Sequence, residues 1–392
     1  MSTMLWEDVP LDNHEEDPLS SPDRSSEGEP TTSGMPVVAV VGPGAAVGVP
    51  ALRIAKLLAT GRDGNGGVSE VRVLAPVRGV VDGVHWRVVD TAGPALSAEL
   101  PGVDVLVWVA VCTDLADAVT HRAVERRAAL LRTGRALTLA ASAAGVRHVV
   151  VVTSAEVFGA HPDNEVPLPD HAPIRAASDD GLVGDLLAVE ALVEHARQNH
   201  PDVRFTVVRP ATLVGAGIDT ALTRYFEAPR LLAIKGGSPA WQLCHVDDLA
   251  TGVACAVAAD LDGAQSVTVG SDGALTLPEV ERLSAMRRIE VGETTAISLA
   301  TQLHRVGVLP APASELAYVT HPWVVGSATL RARGWHPAYE NGTCLEVLLD
   351  AIAGRHAVAG RRVDRRDAAL GAASAAVALG ATAAVLRRAR LH

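Results

Sequence analysis

The chain has 392 residues, of which 48% are hydrophobic and 20% charged, and a net charge of −11. Nine acidic residues and one arginine fall in Met1–Gly34, so this segment carries −8 and the rest about −3, the difference from −11. That balance fits a soluble α/β protein with a large core, and the lack of a basic or aromatic-interleaved stripe argues against nucleic acid as the main partner.

Residues 1–34 combine Glu, Asp, Ser and Pro with few large apolar groups and read as a disordered acidic leader. No basic stretch followed by an apolar run opens the chain, so no secretory signal is expected and a cytoplasmic location is. Cys112, Cys244, Cys255 and Cys344 lack metal-binding spacing and read as buried free thiols.

Pro36 to Leu58 reads as strand, glycine loop and helix. Val37 to Val41 has the β-branched content of a buried parallel strand, and Val49 to Leu58 places apolar residues at helical spacing. Gly42, Gly44 and Gly48 leave little side chain above the helix start, where free N–H groups and the helix dipole favour a phosphate. The spacing is G-x-G-x-x-x-G, with Val47 where the common fingerprint has its third glycine. The loop therefore reads either as a nucleotide site or as a plain strand-to-helix turn.

Further strands are expected at Val71–Ala75, Val84–Val89, Val103–Ala110 and Arg147–Val152, with a long helix over Ala123–Gly145. Strands alternating with helices imply a doubly wound parallel sheet of Rossmann type. After the second strand stand Ala75, Pro76, Val77 and Arg78, with no carboxylate for a ribose. Arg78 either meets a 2′-phosphate, which tilts the expectation from NAD toward NADP, or is a surface arginine. Asp90 either accepts from an adenine amino group or caps the helix starting near Pro94. Ala110, closing the fourth strand, joins the expected cofactor-binding set.

The segment AAGVRHVVVVTSAEVFGAHPDNEVPL resembles the central motif of the extended short-chain dehydrogenase/reductase family, in its NAD-dependent epimerase/dehydratase branch. Gly42, Ala45 and Gly48 resemble its G-x-x-G-x-x-G loop, departing at the middle position. RFTVVRPATLVGAG from Arg204, CHVDDLATGV from Cys244 and GWHP from Gly334 resemble its sixth strand and substrate loop, its histidine-valine-aspartate motif and its closing motif. The resemblance covers about residues 36–350. It implies a Rossmann domain over 35–270, with a substrate loop at about 210–245, and a small α/β lobe over 271–355. Thr276 is the expected N-cap of a helix in that lobe.

The resemblance also implies a tyrosine phenolate and a lysine four residues on, one helical turn apart, exchanging a proton with a substrate hydroxyl. The register aligns this pair with Leu182 and Leu186. Tyr225, Tyr318 and Tyr339 are the only tyrosines and Lys56 and Lys235 the only lysines, so no Tyr-x-x-x-Lys exists in the chain. The family's helix asparagine aligns roughly with Leu131 and a motif tyrosine with Phe158, leaving Ser154 as the retained catalytic position.

Two readings follow: a non-catalytic NAD(P)-binding sensor or scaffold, or an epimerase, dehydratase or reductase with substitute groups among Ser154, Glu156, Asp185 and His161. On the substrate side, Arg209, Thr212, Arg224, Trp241 and His245 form the expected constellation for a nucleotide-sugar-like ligand, the alternative for Arg209 being an internal pair with Asp247 or Asp248. A homodimer is a further expectation. Ala368–Leu386 is nineteen uncharged residues, ten of them alanine, within a tail over 366–392. At about 1.5 Å per residue it would just span a core of about 30 Å, so it reads either as a membrane helix or as one packed on the body or a partner subunit.

Overall fold

The computed structural model describes residues 34–44, 47–61, 67–259, 261, 263–306, 309, 311–353, 357–358 and 361–362. The acidic leader up to residue 33, Ala45 and the 366–392 tail lie outside them. Among the described residues no helix is long and apolar enough to cross a membrane.

Seven parallel strands form the central sheet: β1 (Val37–Val41), β2 (Glu70–Ala75), β3 (His85–Val88), β4 (Val105–Val109), β5 (His148–Val152), β6 (Arg204–Pro210) and β7 (Ser266–Val269). Their order is β7-β6-β5-β4-β1-β2-β3. The order reverses between β1 and β4, where Val38 faces Val105 and Val41 faces Trp108, which makes this edge the place for a ligand crevice. VLVWV of β4 and HVVVV of β5 are buried at every position, as strands covered on both faces must be.

Helix α1 (Val49–Thr60) follows the glycine loop and ends at Gly61, whose φ of 61° lets its N–H reach the Leu58 carbonyl. Helix α2 (Ala123–Ala144) is closed in the same way by Gly145. Within α2, a Cβ on Gly134 would stand 2.6 Å from the Trp108 ring, so only glycine lets the helix lie this close to β4. Helix α3 (Leu182–Asn199) packs beside α2, and α4 (Val246–Ala258) beside α1. Beyond the sheet, α5 (Leu277–Ser284) starts at Thr276, whose N–H and hydroxyl both reach the Glu279 carboxylate at 2.7 Å.

Candidate functional site

The glycine loop shapes one wall of the crevice. A Cβ on Gly42 would lie 1.7 Å from the Val47 carbonyl oxygen, so no other residue fits there without moving the loop. Gly44, at φ 118°, has open space on its side-chain side, and Gly48, at φ 75°, leads into α1. Val47 adopts φ 65°. The backbone thus keeps a glycine conformation at the position where the common fingerprint has glycine, while a buried β-branched side chain occupies it. Relief of that strain, about 1–3 kcal/mol, is offset by the loss of a buried valine side chain, about 1.5–3 kcal/mol, so Val47→Gly is expected to stay within about 1 kcal/mol of the unmodified chain in urea denaturation.

A cavity of about 250 Å³ opens at the C-terminal ends of β1, β4, β5 and β6. Gly42 and Gly44 border it on one side, Ala110 to Thr113 beneath, Ser154 and Glu156 after β5, and Pro210 to Leu213 after β6. Helices α2 and α3 close it with Leu130, Leu182, Val183 and Leu186. Both positions aligned with the family's tyrosine and lysine therefore face this space as leucines.

Of the residues expected from sequence, Ser154, Ala110, Thr212, Gly42 and Gly44 border the cavity, as do Glu156 and Asp185. Thr212 is 7% exposed, and its hydroxyl has no hydrogen-bond partner. Gly48, Arg78, Asp90, His161, Arg209, Arg224, Trp241 and His245 are absent from its lining. Asp90 accepts from the Ala92 N–H at 3.0 Å, a turn-capping contact ahead of the 3₁₀ helix Pro94–Glu99. Arg78 is exposed, and His161 contacts the Arg175 carbonyl at 3.3 Å.

The substrate-side expectation changes most. Arg209 forms a two-pronged pair with Glu190, at 3.0 and 2.6 Å, rather than with Asp247 or Asp248. Its guanidinium lies 4.9 Å from the Phe158 ring centre, and Thr153 donates to the same glutamate at 2.8 Å. Arg224 is held by Asp219 at 2.8 and 2.7 Å. Trp241 packs into an aromatic cluster with Tyr225 and Phe226, 5.1 and 5.4 Å away. His245 stacks on Tyr339 at 3.8 Å and accepts the Asp247 N–H at the start of α4, and burial lowers its pKa. These contacts tie all four side chains into the protein's own packing.

The polar end of the cavity is acidic. The Ser154 hydroxyl donates to Glu156 at 3.2 Å and accepts the Glu156 N–H at 3.2 Å. Burial pushes the Glu156 carboxyl up to about 7. Glu315, from the C-terminal region, is pushed up to about 8 by burial and then by the charges of Glu156, Asp179 and Asp180, against the opposing Arg126. Asp185 is not free to act as a base, because Arg126 and Arg127 hold it at 2.5 and 2.8 Å. Tyr318 lies close by, yet its hydroxyl donates to the Glu156 carbonyl at 2.6 Å and burial raises its pKa further. Glu315, Arg126 and Arg127 belong to no motif read from the sequence; only the fold brings them here.

Residues 102–270 match the model of the NAD dependent epimerase/dehydratase family. That stretch, less than half of the chain, is similar to a domain of that family. An uncharacterized protein of Mycobacterium tuberculosis and one of Mycobacterium bovis are each 26% identical over 214 residues, 54% of this chain and 56% of theirs. The chain thus spans about half the length of the curated relatives it matches. Among solved structures, dTDP-glucose 4,6-dehydratase DesIV from Streptomyces venezuelae, with NAD bound, has a TM-score of 0.59 at 16% identity, covering 81% of this chain and 97% of that one. UDP-glucose 4-epimerase from Thermotoga maritima, with UDP-glucose, gives 0.58 at 11% identity over 81% and 98%. The corresponding enzyme from Thermus thermophilus, complexed with NAD, gives 0.56 at 18% over 81% and 99%. At these identities the likeness supports the fold, which is the Rossmann-type parallel sheet expected from the sequence.

Proposed function

We infer that this chain is an NAD(P)-binding member of the epimerase/dehydratase family that holds a small ligand without the family's hydride chemistry, as a sensor or scaffold. The observation that carries this reading is that Leu182 and Leu186 border the cavity where the resemblance requires a tyrosine and a lysine. A hydride leaves a carbinol carbon only when a base accepts the hydroxyl proton, and leucine cannot.

The residues fit a dinucleotide. Gly42 and Gly44 and the N-terminus of α1 would take the pyrophosphate, and among the described residues nothing beyond Gly44's chain neighbours lies within 4 Å of where a Gly44 Cβ would stand. Bound there, the cofactor would supply a redox-active nicotinamide. Arg78 is the candidate for a 2′-phosphate, since no carboxylate ends β2.

A second reading, a reductase, epimerase or dehydratase with substitute groups, is favoured by one observation: Ser154 and Glu156 are hydrogen-bonded at the cavity, with the Glu156 carboxyl held near neutrality. Calorimetric titration of the full-length chain with NAD⁺, NADP⁺ and their reduced forms, followed by turnover assays with nucleotide sugars, separates the readings. Micromolar cofactor binding without turnover is the expected result. Absence of binding to all four would reject the cofactor, and turnover lost in Glu156→Gln would establish the second reading.

A cytoplasmic setting, a homodimer and a contact of the 366–392 tail with a membrane or partner belong to the same proposal. Deleting 366–392 and fractionating the cells tests the tail, and unchanged membrane association would reject the anchor.

A further inference from the structure

We propose that a second mouth leads into the cavity from behind Glu315, and that small uncharged molecules reach the Ser154 end through it while a dinucleotide occupies the glycine loop. The proposal rests on the reading above only in seating the dinucleotide on that loop.

A smaller cavity of about 150 Å³ is bordered by Gly159 and Ala160, which follow the 3₁₀ helix Ala155–Phe158, and by Ser314 and Tyr318 of the 3₁₀ helix Ala313–Val319. Arg175, Ala177 and Ser314 on its border are exposed, so it opens to solvent. Val183 and Glu315 border this cavity and the larger one alike, so the two spaces meet at these side chains.

The frame around that point is pinned. Tyr318 donates to the Glu156 carbonyl at 2.6 Å, Asn164 to the Gly159 and Pro322 carbonyls at 2.8 Å, and Ser314 to the Asp179 carboxylate. Asp185, on the turn of α3 that carries Val183, is held by Arg126 and Arg127. Glu315 differs: among the described residues its carboxylate accepts no hydrogen bond. A side chain without such a tether changes rotamer far faster than the packed backbone around it moves. Glu315 is thus a door in a rigid wall.

The front of the cavity gives the door its use. Gly42 and Gly44 border the cavity there, so a dinucleotide on the loop narrows that approach. A way in behind Glu315 lets a ligand beside Ser154 and Glu156 exchange without release of the dinucleotide.

Cys112 supplies the reporter: it borders the large cavity and is half-buried, whereas Cys244, Cys255 and Cys344 are buried. The test is the rate at which iodoacetamide, small and uncharged, alkylates Cys112 in the full-length chain, read by peptide mass mapping with and without NAD⁺. Cys244, 0% exposed, is the folding control and should stay unlabelled. Glu315→Ala is expected to raise the Cys112 rate about fivefold or more in both conditions, because no local opening then precedes entry. Ala177 borders the small cavity alone, so adding Ala177→Trp fills the outer mouth and is expected to return the rate to that of the unmodified chain. An unchanged rate in Glu315→Ala, a gain confined to the chain without NAD⁺, or a gain that persists in the double variant would each overturn the proposal. The last outcome would trace the gain to the lost charge or to looser packing. Calorimetric titration with NAD⁺ tests the cofactor reading separately, and if NAD⁺ fails to bind, the two variants still decide on the second mouth.

Discussion

Replacing Arg209 by alanine is expected to cost about 3–5 kcal/mol of folding stability, measured by urea denaturation at pH 7. Arg209 and Glu190 are each only 7% exposed, so removing the guanidinium strands a carboxylate in the protein interior. Thr153 would still donate to it at 2.8 Å, one bond where three had been. The stacking of the guanidinium on Phe158 would be lost as well. Breaking such a pair from one side is costly, whereas replacing both partners is not. Arg209→Met combined with Glu190→Met is therefore expected to recover most of the loss, because no buried charge remains and the volume is kept. A ligand-binding arginine would behave differently: Arg209→Ala would then change stability by less than about 0.5 kcal/mol and show its effect only in ligand affinity.

The arginine pairs mark the boundary of what the sequence makes legible. Strands β1, β4 and β5 are readable because a parallel strand buried on both faces must be a run of β-branched residues, and VVAVV, VLVWV and HVVVV are such runs. β7 escapes the same reasoning: SVTV is four residues long, with Ser and Thr at alternate positions. The glycine loop is legible as a close backbone approach, while the positive φ of Val47 is not, since valine is the residue least expected there. Arg209 and Arg224 advertise anion binding by residue type, but type does not say which carboxylate folding places opposite. Asp219 is five residues from Arg224, whereas Glu190 reaches Arg209 from helix α3. Leu182 and Leu186 could be placed by counting along a helix, and both do face the cavity. Glu315 could not, because its place beside Glu156 depends on a connection of more than a hundred residues.

That acidic pair carries the second large effect, a stability that falls as pH rises. Unfolded glutamate titrates near 4.5, whereas Glu156 and Glu315 in the folded chain titrate near 7 and 8. Between those values the folded chain holds more protons than the unfolded chain, so the slope of unfolding free energy against pH is negative. The protonated pair's contribution is complete below about pH 4.5 and is lost as pH passes through 7 and 8. His148, lowered to about 3 by burial, works in the opposite direction on the acid side, where the unfolded chain takes up the proton. A difference measurement removes that background. Glu315→Gln keeps the shape and hydrogen-bonding capacity of the side chain without its charge, and it relieves Glu156 of a like-charged neighbour. The variant and the unmodified chain are expected to match in stability near pH 5, within a few tenths of a kcal/mol. By pH 9 the variant should be the more stable by roughly 2–4 kcal/mol, after allowance for partial exposure of the group. A difference that stays flat across this range would mean that Glu315 ionises like an exposed carboxylate. The cavity would then hold the Glu315 charge at neutral pH, and the folded chain would gain nothing by protonating that group.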